Sequence, residues 1–132
     1  MLQEREQRRR RSEDPEIAVG YQLDQVVKDF GLECCLIADE NGVVTAATPR
    51  RTTPLMKSLG ALLPAMAMLP ASRDVHMQRL RDHRPDLADD EVSCCVFRAG
   101  GRRLYIAALG PEAVMNEVAI LRAIVGARRI HS

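Results

Sequence analysis

The chain has no tryptophan, and aromatic residues make up only 3% of its 132 residues. Platforms that stack nucleobases or sugars are built from aromatic rings, so the composition offers little for either ligand. The formal net charge of +1 also argues against a surface made for nucleic acid or for acidic lipids. We therefore do not expect nucleic acid to be a partner.

Long apolar runs are absent as well. No stretch reaches the length that crosses a bilayer, and the charged segment Met1-Leu2-Gln3-Glu4-Arg5 lacks the apolar region of a secretory signal. We expect a cytoplasmic protein without a membrane partner. Thiols stay reduced there, so we interpret Cys34-Cys35 and Cys94-Cys95 as small buried residues, with redox sensing as the alternative. A shared zinc site is geometrically poor, because adjacent strand residues point to opposite faces.

Catalytic and cofactor motifs are also missing. The sequence contains neither Gly-x-Gly-x-x-Gly nor Gly-x-x-x-x-Gly-Lys, and its three histidines, His76, His83 and His131, are scattered without converging partners. Asp39-Glu40 precedes Asn41-Gly42 and is interpreted as part of a turn. We predict no enzyme activity, no catalytic residues, no metal and no cofactor.

The chain divides into a tail and one domain. Residues 1–14 contain Arg8, Arg9, Arg10 and Arg11 and only Leu2 to bury, which predicts a disordered arginine-rich tail. These arginines are candidate partner-binding residues, for an acidic protein, a membrane or, in a weaker interpretation, a nucleic acid. Residues 15–132 have a length typical of a single domain.

Two hairpin patterns dominate that domain. Residues 33–44 and 93–106 each contain two strand-like runs around Asn41-Gly42 or Gly100-Gly101, which can adopt the positive φ of a tight turn. Residues 34–38 show no polar alternation, so both faces of that strand are predicted to be buried. A strand buried on both faces requires helices above and below the sheet.

Three helices are predicted from apolar periodicity. The first begins at Ser12 or Asp14 with Pro15 and ends at Gly31; the second begins at Thr53-Pro54; the last lies within residues 112–130. Their apolar stripes are, in order, Val19, Leu23, Val26, Val27 and Phe30; Leu55, Leu59, Leu62, Leu63 and Met66; and Val114, Val118, Leu121 and Val125, the last widened by Met115, Ile120 and Ile124.

Residues 73–81 fit either a strand or a short helix, and we predict an edge strand. The fold class expected is then α+β, a three-layer sandwich with a mostly antiparallel five-stranded sheet in the order αββαβββα and helices on both faces.

This order of elements resembles the roadblock family, which includes the dynein light chains of the roadblock type and bacterial proteins that act on small Ras-like GTPases. The resemblance covers residues 15–130 and is strongest at residues 31–44, which look like the family's first hairpin, and at Leu104-Tyr105-Ile106-Ala107-Ala108-Leu109-Gly110, which looks like its last strand. The arginine-rich segment after the second helix and the arginine tail depart from the family's pattern.

The resemblance implies a non-enzymatic homodimer that regulates or scaffolds a small Ras-like GTPase or a motility, polarity or motor complex. Roadblock dimers form through the second helix and an edge strand. The candidate interface residues here are Leu55, Met56, Leu59, Gly60, Leu63, Met66 and Ala67. GAF-like, longin-like and profilin-like sandwiches share much of this outline, and the alternative function is a GAF-like sensory domain that binds a small molecule.

Overall fold

The computed structural model describes residues 14–132, which form four α-helices and four β-strands. The helices are α1 (Pro15–Phe30), α2 (Pro54–Met68), α3 (Arg73–Arg81) and α4 (Ala113–His131). The strands are β1 (Cys34–Ala38), β2 (Val44–Thr48), β3 (Val92–Ala99) and β4 (Arg102–Leu109). The described part of the chain is α+β, as predicted.

The four strands form one antiparallel sheet in the order β2-β1-β4-β3. β1 and β4 lie in the centre, where Leu36 pairs with Ala107 and Ile37 with Ile106. β3 pairs with β4 along its whole length, and Val96 lies opposite Tyr105. Among the described residues, β2 and β3 are therefore the edge strands.

The predicted fifth strand is wrong, because residues 73–81 form α3. In a strand, Val75 and Met77 would share a face, but Val75 is 61% exposed while Met77 is fully buried. The second buried residue of this segment is Leu80, three positions after Met77, which is the spacing of one helix face. The observed order of elements is αββααββα.

Local signals at the ends of the elements agree with the predictions. Asp14 Oδ1 accepts a hydrogen bond from the backbone N–H of Ile17, and Gly31 ends α1 in the left-handed region at φ 64°. Thr53 caps α2 through Met56 N–H. Helix starts leave unpaired N–H groups, and these two side chains each satisfy one of them.

Buried side chains form two separate clusters. One contains α1 and α4 residues together with Cys35, Ile37, Phe97, Ile106 and Ala108. The other contains α2 and α3 residues together with Cys34, Leu36, Ala38, Ala107 and Leu109. Successive residues of β1 therefore enter different clusters, and both faces of this strand are buried, as predicted.

Candidate interaction surfaces

Most of the residues predicted for a dimer contact on α2 lie beneath that helix. Leu55, Met56, Leu59, Leu63 and Met66 are at most 6% exposed, and they pack in the cluster that joins α2 to the sheet and α3. Gly60 is buried and Ala67 is half-buried. These side chains hold α2 on its own chain, so a second copy would have to contact other residues of α2 or its neighbours. The dimer itself stays a prediction.

The small residues in the middle of α2 make room for the first hairpin. A Cβ at Gly60 would lie 2.6 Å from Cγ2 of Val44, and a Cβ at Gly42 would lie 3.0 Å from both Cα and the carbonyl oxygen of Ala61. The tip of the β1–β2 hairpin therefore rests directly on the helix backbone. Asp39 fixes this turn, because its Oδ1 accepts from the N–H groups of Asn41 and Val43, as predicted for a turn residue.

The outer edge of β3 is the first candidate interaction surface. In an antiparallel pair, the backbone groups of every second residue point away from the neighbouring strand. The two-residue turn at Gly100-Gly101 makes Ala99 and Arg102 a hydrogen-bonded pair, so the outward groups belong to Val92, Cys94, Val96 and Arg98. A row of unpaired backbone groups is a template for another strand.

Two arginines cover the ends of this edge. Arg73 of α3 donates from Nη2 to the carbonyl of Val92 at 2.5 Å, and Arg128 of α4 donates from Nε to the carbonyl of Arg98 at 3.0 Å. The stretch between the two arginines, Cys94 to Val96, is uncovered. Its side chains are apolar, and Val96 is 37% exposed. Sequence patterns do not predict this arrangement, because the two arginines are separated from their partners on the strand by 19 and 30 positions.

The outer side of α4 is the second candidate surface. Val114, Val118, Leu121 and Val125 are 70%, 44%, 63% and 56% exposed. An apolar stripe on a surface helix normally faces the core, but here the core side carries the opposite set, Asn116, Ala119, Ile120, Ala123, Ile124 and Ala127. The periodicity that predicted the helix therefore marks its solvent-facing side.

Cys34 and Cys35 are buried, as predicted, whereas Cys94 and Cys95 are only half-buried, because β3 is an edge strand. Burial raises the pKa of the Cys34 thiol to about 12, and Glu33 adds to the increase. Burial also raises the pKa of Cys35 and that of Cys94 to about 11, although nearby Arg73 partly offsets the latter. Thiolates are the reactive form, so these three thiols are poor nucleophiles at neutral pH. Among residues 14–132, no three His, Cys, Asp or Glu side chains come together as a metal site.

One histidine makes a contact that the sequence did not suggest. Ser58 Oγ lies 2.7 Å from Nε2 of His83, which joins α2 to the segment after α3. His83 is exposed, and His76 and His131 are half-buried. A nucleophilic serine needs a base that is itself oriented by a third group beside a substrate cleft. We interpret the Ser58–His83 pair as a structural contact.

Two open grooves at the surface bring polar and apolar groups together. One, of about 530 Å³, runs between the start of α1 and β2 and is lined by Ile17, Tyr21, Arg50 and residues 44–47 among others. The other, of about 320 Å³, lies between the two hairpin turns and combines Asp39 and Glu40 with Arg98, Arg102 and Arg103. The first groove is the more apolar of the two and has a volume typical of small-ligand sites.

Comparison with known proteins found no match that bears on these surfaces. No family model matches the chain, and no curated protein or solved structure matches it. In residues 14–132, none of the helices has both the length and the apolar character needed to cross a bilayer. The predicted partner-binding arginines, Arg8, Arg9, Arg10 and Arg11, lie outside the described residues.

Proposed function

We propose that this protein is a non-enzymatic, homodimeric module of the roadblock type that regulates or scaffolds a small Ras-like GTPase or a motility, polarity or motor complex. The order helix, hairpin, helix, hairpin, helix supports the proposal, since it retains the roadblock outline apart from α3 in place of one strand. We also infer that α1 with α4 and α2 with α3 cover opposite faces of the sheet, as a three-layer sandwich requires. The two separate apolar clusters support this arrangement.

The observation that carries the proposal is the uncovered middle of the β3 edge. A twofold axis beside Cys94 to Val96 would pair this strand with the same strand of a second chain, and such a contact is self-complementary. Val92 belongs to the cluster of α2 and α3, so by strand alternation Val96 points to the same side of the sheet. Met68, Leu69 and Val75, which are exposed at the ends of α2 and α3, would extend the contact on this side.

The experiment compares the wild type with Val96→Lys by light scattering after size exclusion. We expect the wild type to have at least twice the chain mass of 14.7 kDa. Val96→Lys places a charge at the centre of the edge and should lower the mass while leaving the circular dichroism spectrum unchanged. Val43→Lys, at another exposed valine, is the matched control. A monomeric wild type at high concentration would contradict the proposal.

The proposed regulation of a small Ras-like GTPase needs a second measurement. Calorimetric titration with small Ras-like GTPases of the same organism, loaded with GDP or with a non-hydrolysable GTP analogue, should give binding that depends on the nucleotide. Loss of this binding in Val96→Lys would indicate that the partner recognises the dimer. Equal binding of both nucleotide forms would favour a scaffold over a regulator.

A second candidate function is small-molecule sensing by a GAF-like domain, favoured by the 530 Å³ groove between α1 and β2. The guanidinium of Arg50 lies 4.5 Å from the ring centre of Tyr21 at this groove, which gives it one aromatic and one cationic group. The test is the fluorescence of anilinonaphthalene sulfonate with the wild type and with Tyr21→Ala. Saturable binding that Tyr21→Ala abolishes would support this alternative, and equal fluorescence of both proteins would count against it.

A further inference from the structure

We propose that the outer stripe of α4, defined by Val114, Val118, Leu121 and Val125, binds the same stripe of a second copy in a parallel helix pair. This contact lies on a different layer from the β3 edge and is independent of the proposed function. If the β3 edges also pair, the helix contact would join two such dimers. If they do not, the helix contact would form a dimer by itself.

The spacing of the stripe is that of a coiled-coil seam. The intervals between its four residues are 4, 3 and 4, which places Val118 and Val125 at heptad positions a and Val114 and Leu121 at positions d. Valine at a with leucine at d, which Val118, Leu121 and Val125 supply, is the combination that favours two-stranded pairing; the first d position is Val114. The seam is continuously apolar over about 17 Å of helix.

Exposure shows that this seam has no partner within the described chain. All four side chains are at least 44% exposed, although they are among the larger apolar residues of the helix. The opposite side of α4 already packs on the sheet through the alanines at 119, 123 and 127 and the isoleucines at 120 and 124. A helix with apolar residues on both sides is normally covered on both.

Charges beside the seam favour a second copy in parallel orientation. Glu117 occupies position g, and Arg122 occupies the following position e; in a parallel pair these positions of the two chains lie next to each other. The contact would form twice, once on each side of the twofold axis. In an antiparallel pair position e faces e, which would bring the two Arg122 side chains together.

Arg122 is already held at the flank of the seam. Its Nη1 lies 2.8 Å from Oδ2 of Asp29, and its guanidinium lies 5.6 Å from the ring centre of Phe30. An arginine that is fixed in place loses less conformational entropy when it binds Glu117 of a second copy. The stripe is short compared with interfaces of standard size, so we expect association that depends on protein concentration.

The first test measures mass by light scattering over a concentration series. The double variant Val118→Glu, Leu121→Glu changes only exposed residues, so its fold should be retained, as checked by circular dichroism and melting temperature. We expect its association to be weakened more than about tenfold, as for loss of a central apolar contact. Val43→Glu, at an exposed valine away from α4, is the control.

The variants separate this inference from the proposed function. If both contacts exist, the wild type reaches at least four times the chain mass, while the stripe variant and Val96→Lys each stop at twice that mass. If only the stripe variant lowers the mass, the helix pair is correct and the edge dimer is wrong. The helix pair is overturned if the stripe variant associates like the wild type, or if the wild type is monomeric. The occupant of the stripe would then be a helix of another protein.

The second test measures orientation. In a parallel pair the two copies of position 118 face each other, so Val118→Cys should form an interchain disulfide under mild oxidation. The wild type measures the background from its own cysteines, and Val43→Cys, exposed on the first hairpin, measures random collision. Crosslinking of Val118→Cys no faster than that of Val43→Cys, or only with a chain carrying Leu121→Cys, would overturn the parallel arrangement.

Discussion

Arg128 donates a hydrogen bond from Nε to the backbone carbonyl of Arg98, so the end of α4 closes one end of the β3 edge. Arg73 closes the other end at Val92. Exposed strand edges promote association with other chains, and proteins protect them with charged side chains or covering elements. The two arginines therefore limit the open edge to a short stretch around Cys94 and Val96.

Removing both arginines should lengthen the uncovered stretch of the β3 edge that can pair with other chains. We expect the double variant Arg73→Ala, Arg128→Ala to aggregate faster at 37 °C and to lose about 1 kcal/mol of stability for each hydrogen bond. Dynamic light scattering over time and urea unfolding measure the two effects. Arg102→Ala with Arg129→Ala removes the same charge at exposed positions and is the control. Equal aggregation of the two double variants would show that the caps do not protect the edge.

The contact between the first hairpin and α2 can be isolated with two glycines. Gly42 and Gly101 have nearly the same φ, 76° and 75°, but only Gly42 faces the backbone of Ala61; nothing lies within 4 Å of a Cβ at Gly101. Gly101→Ala should cost about 1 kcal/mol for the left-handed conformation. Gly42→Ala should cost about 1–2 kcal/mol more, because the hairpin must move off the helix. Urea unfolding measures both, and equal losses would contradict close packing at Ala61.

Much of the fold could be predicted, because the residues that determine it lie close together in the sequence. Asp14, Thr53 and Gly31 mark helix ends, and Gly42, Gly100 and Gly101 adopt the positive φ that the hairpin turns require. The unbroken apolar run of β1 correctly predicts burial on both faces. These features depend on a few neighbouring residues, so periodicity and turn chemistry suffice to find them.

The strand predicted for the segment that forms α3 was wrong for a physical reason. The segment has nine residues, only Met77 and Leu80 are buried, and no side chain caps its start. In the sequence, Val75 and Met77 fit a period of two, whereas Met77 and Leu80 fit one of 3.6, so its three apolar residues do not decide between strand and helix. The contact of Arg73 with the edge of β3, which shows where this helix lies, joins residues 19 positions apart.

The side of α4 that faces the core could not be read from the sequence either. Both sides of this helix are apolar: the predicted stripe of Val114, Val118, Leu121 and Val125 is exposed, whereas Ile120 and Ile124, which were predicted to widen it, are buried. Ala119, Ala123 and Ala127 are fully buried because small side chains let the helix lie close to its neighbours. Asn116 was also missed: it is buried in this face, and its Nδ2 donates to the carbonyls of Glu91 and Gly110.

The buried thiols should make stability depend on alkaline pH. The pKa of Cys34 rises from 9.0 to about 12 and that of Cys94 to about 11, so the unfolded chain loses these protons at lower pH than the folded one. Their contribution is complete below pH 9 and is lost as the pH rises through 11 to 12. A pKa that differs by one between the folded and the unfolded chain corresponds to about 1.4 kcal/mol of stability.

Urea unfolding at pH 8 and pH 10.5 checks this, with Cys34→Ala as the comparison. The wild type should lose about 2 kcal/mol more than Cys34→Ala between the two pH values, because only the wild type can ionise a thiol at position 34 on unfolding. The difference between the proteins cancels the titration of tyrosines and lysines common to both. Equal losses would mean that Cys34 ionises as readily in the folded chain as in the unfolded one, and that its surroundings in β1 are not dry.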